Sequence, residues 1–600
     1  MKQTISKYDW DLESLLDSKS LDFWVKKWQS TLDYDVKNLN SFYKTKKMFK
    51  SWLDRGLEQS KIENKIFNYV SNHVNEDTTN QKWIAIEQKL NFVILKYNQL
   101  LAKLPNIILK NQRIIQKYLN DKELAKYKRF FYLIFREKKH ILNEDYENLL
   151  SKLSGITANE GDIFSTLTNS DIDFGYVYDK NNKKIKVTTA YDLSKWLETS
   201  NDRILRKNSW ICFHKTFYQY RNTLSKTLFY NFLTTNKKSK IRNFKGYVDK
   251  CLFNDEINKE LLLNIYKNIE SFKMLISKFK LLRNKHLKTV LKLKNVEPWD
   301  LNVNYLTTKQ IPIEEAKNDI LNSLKPFGKN YLHVVQKAFS EHWISFLPKK
   351  GKRLGAYSIG GTYGLKKIYI LMNYIGTLNS VKTLIHELGH SVHSYFFNQT
   401  QSIYANVSIF YAEIASICNE VLLFFYQLNK YKNNPKLKKY LIINFINDFF
   451  NTTTRQIIFS EFEYTIANII NNDQPFTADI GLNLYLNLIT KYEDLSPQEK
   501  NKFLTFPYKY SLSTIFRIDH FYTNSLYVYK YAIGQIVGLY VAKKIFNYDK
   551  NMLKKYTKFL QSGCSLSPLE TIKLIGIDLN KKNIYEEAKK TLTYLINLLK

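Results

Sequence analysis

Apolar side chains recur at helical spacing along most of the chain. Trp24, Trp28 and Leu32 are four residues apart, and Ile86 and Leu90 repeat the pattern further on. Residues with this spacing fall on one face of an α-helix. Gly and Pro, which interrupt helices, number only 18 and 10 in 600 residues. The pattern predicts a mainly α protein, with an elongated helical bulk around a small sheet.

Two stretches depart from the helical pattern. Residues 171–189 alternate apolar and polar side chains around a central Asp-Lys-Asn-Asn, which predicts a β-hairpin. Residues 343–347 and 367–373 predict two strands on either side of a glycine-rich loop, residues 351–364. This loop lacks the G-x-x-x-x-G-K-[ST] spacing of a phosphate-binding loop. We interpret it as a flexible or close-approach loop beside a cleft, followed by a strand that offers its edge to an extended peptide.

The chain is too long for one hydrophobic core, so we expect several parts. The changes in pattern place their boundaries. Residues 1–110 form an N-terminal helical region, residues 111–190 form a helical lobe that ends in the hairpin, and residues 191–600 form a third part that includes the glycine-rich loop.

The chain is strongly basic, because 91 Lys and Arg face 55 Asp and Glu and give a net charge of +36. Such an excess indicates binding to nucleic acids or acidic membranes when it forms a localised patch. Here lysine is spread from one end of the chain to the other. We therefore expect no specific nucleic-acid partner and keep nucleic-acid binding as the alternative.

The cysteines and the N-terminal residues indicate the cellular compartment in which the protein acts. The four cysteines, Cys212, Cys251, Cys418 and Cys564, are widely spaced and form no C-x-x-C pair. This spacing argues against a disulfide framework and a thiolate zinc site, and fits reduced thiols. The first residues show no apolar leader, and no stretch approaches 18 uninterrupted apolar residues. We expect a soluble cytoplasmic protein with no membrane partner.

One segment carries the pattern H-E-x-x-H, in His386, Glu387 and His390. On a helix, two histidines four residues apart lie one turn apart on one face and can reach the same metal ion. The Glu between them lies beside that face, which suits metal-assisted hydrolysis of an amide bond. The longer pattern H-E-x-x-H-x-x-G-x-x-H is excluded, because its last two fixed positions are His393 and Phe396.

A catalytic zinc site needs a third protein ligand. The apolar stretch 407–421 carries Glu413 and Glu420, which are seven residues apart and so share a helix face. Carboxylates in an apolar run need partners. We assign Glu413 as the third ligand of one Zn²⁺ per chain. Glu420 would orient a ligand histidine or close the metal pocket, and the same ligands also suit other divalent ions.

Sequence motifs that match one family are spread over nearly the whole chain. They are residues 9–12, 351–357, 386–395, 412–416 with 419–420, 520–522 with 527–531, and 556–563 with 568 and 576–578. In these motifs the chain resembles the oligoendopeptidase F branch of the zinc metallopeptidase family that includes thimet oligopeptidase. Ser345 departs from the pattern, because that branch often carries an acidic residue at this position.

The resemblance implies a fold and a set of site residues. The fold would be a two-lobed helical zincin metallopeptidase, with a small β-sheet beside the active-site helix and a deep central channel that admits short, unstructured peptides. The resemblance implies the same metal ligands, His386, His390 and Glu413, and gives Glu387 the role of the catalytic base.

The resemblance also implies that a late histidine, His520, and a tyrosine after it polarise the scissile carbonyl. Counting nine residues from the histidine selects Tyr529. The segment is shorter in the branch that this chain resembles, so Tyr527 and Tyr531 remain candidates.

Together, motif and resemblance predict a zinc-dependent endopeptidase that hydrolyses internal bonds of short oligopeptides in peptide catabolism. Zinc would act as a Lewis acid, with Glu387 as general base and then acid. Residues 191–600 would be the catalytic domain, the partners short unstructured peptides, and the state a monomer or weak homo-oligomer. The alternative is a basic nucleic-acid-binding protein with a structural zinc site, which would need a fourth protein ligand.

Overall fold

The computed structural model describes residues 6–153, 159–306, 310–523 and 525–600. In this part of the chain α-helix dominates, and β-structure is confined to five short strands. The prediction of a mainly α protein with a small sheet is confirmed.

The chain packs into two compact units, each built from three separate segments. The first unit comprises Met1–Leu153, Lys309–Gln427 and Val537–Asp578, and the second unit comprises Ser154–Thr308, Leu428–Ile536 and Leu579–Lys600. The sequence-based boundaries near residues 110 and 190 stay a prediction.

Helices occupy most of both units. The first fourteen are α1 (Leu21–Lys37), α2 (Lys46–Glu76), α3 (Gln81–Leu100), α4 (Leu104–Lys110), α5 (Gln112–Tyr118), α6 (Lys128–Arg136), α7 (Glu144–Leu153), α8 (Glu160–Thr166), α9 (Ala190–Thr199), α10 (Arg203–Gln219), α11 (Arg221–Ile241), α12 (Tyr247–Asn254), α13 (Lys259–Glu270) and α14 (Lys273–Val290). The others are α15 (Ile313–Ser323), α16 (Lys329–Ser340), α17 (Leu378–Thr400), α18 (Glu413–Lys430), α19 (Pro435–Thr452), α20 (Thr454–Asn471), α21 (Ala478–Glu493), α22 (Pro497–Lys502), α23 (Tyr529–Phe546), α24 (Lys550–Gln561), α25 (Pro568–Lys573) and α26 (Asn583–Asn597). Among the helices described, none is long and apolar enough to cross a lipid bilayer.

In the first unit, the long helix α2 contributes to two clusters of buried apolar side chains. Its C-terminal half packs Ile66 and Val70 into a cluster with Trp28 of α1 and Leu371. Its N-terminal half packs Phe49 into a second cluster with side chains from α4 to α6. The spacing of four residues between Ile66 and Val70 places both on one helix face, as amphipathic packing requires.

In the second unit, helices α11 and α20 pack against each other and α20 also packs against α13 and α21. Leu228 and Phe232 of α11 and Phe462 and Ile466 of α20 are fully buried, and each pair has the spacing of one helical turn. These helices form a rigid scaffold for the segments attached to them.

The predicted hairpin is present in the second unit. Strand β1 (Tyr176–Tyr178) pairs antiparallel with β2 (Lys184–Lys186), so that Val177 lies opposite Ile185. The alternation of side chains around the central turn therefore predicted this element correctly.

The sheet of the first unit has three strands, β3 (Ile344–Ser345), β4 (Tyr357–Ser358) and β5 (Ile370–Leu371), in the order β3-β5-β4. Strand β3 is parallel to β5, and β4 is antiparallel to it. The prediction that the strand over residues 367–373 offers its edge to a peptide is wrong, because β5 is central and hydrogen-bonded on both sides. The sequence also missed β4, which lies inside the glycine-rich loop.

The glycine-rich loop lies against a row of asparagines on α2. Asn64 donates from Nδ2 to the carbonyl of Tyr363 at 3.0 Å, and Asn68 donates to that of Gly361 at 3.0 Å. Further along the row, Asn72 accepts a hydrogen bond of 2.9 Å from the hydroxyl of Tyr357. This contact supports a close approach of the loop rather than a free, flexible one.

Two glycines allow this approach. Gly361 and Gly364 have φ angles of +63° and +84°, and a Cβ atom at Gly364 would lie 2.5 Å from Cγ of Lys61 on α2. A side chain at either position would be strained in the backbone and would collide with the helix.

Candidate active site

The helix with the H-E-x-x-H pattern, α17, is fixed in the core of the first unit. Thr377 caps it, because its hydroxyl accepts the backbone N–H of Ser380 at 3.1 Å. One face of the helix is fully buried and includes Leu384, Leu388 and Val392. The buried apolar face fixes the helix against its neighbours. The histidines lie on another face of the same helix, so they are held in place with it.

Three candidate ligand atoms converge between α17 and α18. The Nε2 atoms of His386 and His390 lie 3.2 Å apart, and each lies 3.5 Å from Oε2 of Glu413. Ligand atoms at usual zinc distances around a tetrahedral ion lie roughly 3.4 Å apart. The three separations and the donor set of two imidazoles and one carboxylate therefore fit such an ion. The structure brings the three predicted ligands together.

Glu420 orients one of the histidines. Its Oε1 lies 2.5 Å from Nδ1 of His386, and Lys382 lies 3.9 Å from its other oxygen. Burial opposes the charged imidazolium, but Glu420 and Glu413 raise the pKa of His386 to about 9. Because Nδ1 is hydrogen-bonded to Glu420, the Nε2 atom is directed to the ligand cluster, as in other carboxylate–histidine pairs at metal sites.

Glu413 is held as a carboxylate. Burial favours its protonated form, but His390 and His386 lower the pKa of Glu413 to about 2. The hydroxyl of Ser416 donates to Oε2 of Glu413 at 3.1 Å, which orients the carboxylate from one turn further along α18. A group with this low pKa is ready to bind a cation across the physiological pH range.

Helices α17 and α18 approach closely because Gly389 lies between them. A Cβ atom at this position would lie 2.5 Å from Cα of Ser416. Asn419 of α18 donates to the carbonyl of Ile385 at 3.2 Å and accepts a hydrogen bond of 2.7 Å from Tyr331 of α16. Sequence reasoning assigned no role to Gly389, although a glycine inside a strongly helical pattern is a signal of close packing.

Two further polar residues of α17, Glu387 and His393, have different surroundings. Glu387, the predicted base, follows a ligand histidine directly and is 8% exposed. His393 is 2% exposed, and its ring lies 5.3 Å from that of Phe559, so that burial lowers the pKa of His393 to about 3. His393 is thus a buried neutral ring among aromatic side chains, outside the cluster of candidate ligands.

Ser345, the departure from the family pattern, contacts a buried lysine. Nζ of Lys352 donates to the Ser345 hydroxyl at 2.9 Å and to the Leu347 carbonyl at 2.7 Å. Burial lowers the pKa of Lys352 to about 8. The serine therefore supplies a neutral acceptor to a lysine at the start of the glycine-rich loop.

In the second unit, His520 lies beside two of the three candidate tyrosines. Its Nε2 is 3.3 Å from the hydroxyl of Tyr531, and its ring centroid is 5.2 Å from that of Tyr527. Tyr529 is fully buried instead, and its hydroxyl donates to Asp255 at 2.6 Å. The structure therefore brings Tyr527 and Tyr531 to the histidine and does not bring Tyr529 there, which argues against the residue chosen by counting.

A mainly helical fold and a His-His-Glu cluster, formed by an H-E-x-x-H helix and the helix that follows it, define a metallopeptidase. Residues 196–591 match the model of Peptidase family M3, and residues 110–174 match that of Oligopeptidase F. The chain belongs to peptidase family M3 and is a metallo-oligopeptidase of the oligoendopeptidase F kind.

Individual relatives match this chain over most or all of its length. The chain is 38% identical to an oligoendopeptidase F homolog of Mycoplasma genitalium, over 99% of this chain and 98% of the relative. It is 32% identical to oligopeptidase PepF of Bacillus subtilis, over 88% of this chain and 77% of that relative. A crystal structure of a peptidase from Chlamydophila abortus superposes with a TM-score of 0.84 at 26% identity, covering 100% of this chain and 98% of that one. The predicted family is confirmed.

Proposed function

We propose that the chain is a zinc-dependent endopeptidase that hydrolyses internal bonds of short, unstructured oligopeptides. Membership of the family supports peptide hydrolysis, and the convergence of three ligand atoms at zinc-like separations is the observation that carries the metal dependence. Cytoplasmic peptide turnover and one zinc ion per chain belong to the same proposal.

His386, His390 and Glu413 would hold the ion, with Glu420 orienting His386 and Ser416 orienting Glu413. A zinc ion held there supplies Lewis-acid polarisation to the scissile carbonyl and to the attacking water. Because Glu420 accepts the proton on Nδ1 of His386, the Nε2 proton is the one that a bound ion would displace, and the Nε2 lone pair would then be the ligand.

Glu387 acts as the general base in this proposal. It follows His386 directly on α17, so its side chain lies beside the helix face that carries the two ligand histidines. The carboxylate takes a proton from the attacking water and delivers the proton to the leaving amine nitrogen as the bond breaks. Its buried position limits solvent competition for that proton.

His520 with Tyr531 or Tyr527 would donate hydrogen bonds to the tetrahedral oxyanion, as the family resemblance implies. Burial lowers the pKa of His520, so the ring is neutral at neutral pH and has one N–H to donate. One donor of this kind contributes roughly 3–4 kcal/mol of transition-state stabilisation.

Replacement of the base tests the proposal most directly. Glu387→Gln keeps the size of the side chain but removes the proton acceptor, so kcat for a quenched oligopeptide should fall by more than about 10³-fold. The zinc content of the purified variant, measured by mass spectrometry of the metal, should equal that of the wild type.

Chelation supplies the complementary control. Wild-type turnover should disappear in a strong chelator and return on addition of Zn²⁺, whereas Glu387→Gln should stay inactive throughout. Turnover that resists chelation, or a Glu387→Gln protein with full activity, would contradict the proposal and return the basic nucleic-acid-binding alternative to consideration.

A further inference from the structure

The described residues 520–523 and 525–531, which include His520, Tyr527 and Tyr531, are here named the donor segment. Between its short 3-10 turn and α23, the described residues include Leu526, which is fully buried and has a φ angle of +45°. A leucine in the left-handed region is rare, and such a conformation persists only where the surrounding structure imposes it. The residues that impose it here all lie in the second unit.

Tyr247 provides the first anchor. Its hydroxyl accepts the backbone N–H of Leu526 at 2.8 Å and donates to Oε1 of Glu463 on α20 at 2.5 Å. Tyr247 and Glu463 are both fully buried. A buried backbone N–H needs a partner, so the hydroxyl of Tyr247 stabilises the left-handed turn at Leu526.

Asp255 provides the second anchor. Its carboxylate accepts the hydroxyl of Tyr529 at 2.6 Å and Nζ of Lys530 at 2.7 Å. Tyr247 is the first residue of α12 and Asp255 follows its last residue. The two ends of one short helix therefore hold positions 526 and 529–530, directly beside Tyr527 and Tyr531.

Asn231 provides the third anchor, at the other end of the donor segment. Its Nδ2 donates to the backbone carbonyl of Phe521, the residue after His520, at 3.0 Å. Asn236, further along α11, accepts the backbone N–H of Tyr247 at 2.8 Å and donates to the carbonyl of Ala467 on α20 at 3.0 Å. Asn236 thus joins α11, α12 and α20, the helices that carry Asn231, Tyr247 and Glu463.

We propose that Tyr247, Asp255 and Asn231 are positioning residues that fix the donor segment so that its histidine and tyrosine meet the oxyanion. The inference rests on the proposed role of His520. Donors act without a reorganisation cost only if they are held in place before the reaction, and a displacement of about 1 Å can cost about 100-fold in rate. Tyr529 is then an anchor of the segment, which explains why its hydroxyl is turned to Asp255.

The charge state of Glu463 agrees with this role. Burial raises the pKa of Glu463 to about 8, against the opposing effects of Tyr247 and Lys530. Near pH 7 the carboxyl is therefore mostly protonated, and its contact with Tyr247 is a hydrogen bond between neutral groups. Glu463→Gln, which keeps a neutral acceptor, should retain wild-type kcat.

Removal of the Tyr247 hydroxyl tests the inference. In full-length enzyme with zinc, Tyr247→Phe should lower kcat about tenfold or more and change KM less than threefold, because the donors act mainly in the transition state. Tyr266→Phe is the matched control: this tyrosine is equally buried and hydrogen-bonded at 2.7 Å to Ser460 of α20, but its hydroxyl bonds to no residue of the donor segment. The control should keep kcat within twofold.

A second pair of measurements separates positioning from general damage. In a Tyr531→Phe background the Tyr247→Phe effect should be smaller than in the wild type, because one of the two anchored donors is already gone. If Tyr247→Phe fails to fold, Asn231→Ala should give the same split between kcat and KM. Multiplicative effects, or a Tyr247→Phe enzyme that behaves as the control while His520→Ala loses turnover, would overturn the inference. Full turnover in His520→Ala would instead overturn the proposed function of the donors.

Discussion

The metal cluster and the donor segment are built in opposite ways. The cluster lies on two long helices whose backbones touch at Gly389, so the ligand positions follow from helical periodicity and apolar packing. The donor segment has little regular structure before α23, and buried hydrogen bonds to Tyr247, Asp255 and Asn231 hold it. The first arrangement therefore depends on side-chain volume at the helix contact, whereas the second depends on single hydrogen bonds.

A volume change at the helix contact should have the largest combined effect on stability and metal binding. Gly389→Ala adds a Cβ atom that would lie 2.5 Å from Cα of Ser416, so α17 and α18 must separate. Such overpacking costs about 1–3 kcal/mol of stability, and displaced ligands should lower zinc content and reduce kcat/KM by about 100-fold or more. Metal analysis and thermal denaturation measure both.

Gly56→Ala is the control for the same substitution. Gly56 lies inside α2, and an added Cβ atom there meets no other atom within 4 Å. This variant should gain up to about 1 kcal/mol, because alanine favours the helix, and should keep its zinc. Equal behaviour of the two variants would show that the helix contact does not control the metal site.

A smaller effect should distinguish the three tyrosines of the donor segment. Tyr531→Phe should lower kcat by about 100-fold, because its hydroxyl lies beside His520. Tyr529→Phe should lower the thermal midpoint, since a hydrogen bond to buried Asp255 worth about 1–3 kcal/mol is lost. Its kcat should fall less than tenfold, because Lys530 still holds Asp255.

Steady-state kinetics of Tyr527→Phe completes this series. If Tyr527→Phe loses more turnover than Tyr531→Phe, then Tyr527 is the donor and the ring contact with His520 is the relevant one. The largest loss in Tyr529→Phe would restore the choice made by counting residues.

The smallest effect concerns the pH dependence of stability. The pKa of Glu463 is about 8 in the folded protein and near 4.5 as its ordinary value. As pH rises from about 4.5 to about 8, the unfolded chain loses the Glu463 proton while the folded chain keeps it, so the free energy of unfolding falls. Above about pH 8 both states have lost the proton, and the free energy of unfolding falls no further. Glu463→Gln removes the effect.

Thermal midpoints measured from about pH 5 to about pH 9 check this sign. The midpoint of Glu463→Gln minus that of the wild type should grow with pH and level off above about pH 8. Glu586→Gln, at an exposed position of α26, controls for the loss of one carboxylate. A difference that is independent of pH would show that Glu463 stays charged in the folded protein.

Sequence reasoning found the candidate ligands because helical periodicity sets the relation between the two histidines. His386 and His390 share a face for any regular helix, and Glu413 with Glu420 stood out as acids in an apolar run. The chemistry of the cluster was therefore readable without tertiary structure.

Sequence reasoning was less successful where tertiary contacts decide the conformation of a segment or the direction of a side chain. Strand β4 is only two residues long, too short for a period of two to be visible, and the central place of β5 depends on β4. The direction of Tyr529 depends on the left-handed turn at Leu526, and counting along the chain cannot reveal such a turn. In both cases the local sequence is compatible with several arrangements and the surrounding structure selects one.

The asparagine row on α2 has a consequence for changing the specificity of this enzyme. Asn64 and Asn68 hold the glycine-rich loop by its backbone carbonyls, so the path of the loop does not depend on most of its side chains. Leu354 of this loop is 87% exposed. Such exposed positions of the loop can therefore be varied while the asparagines and glycines are kept, because the residues that hold the loop lie in a different helix.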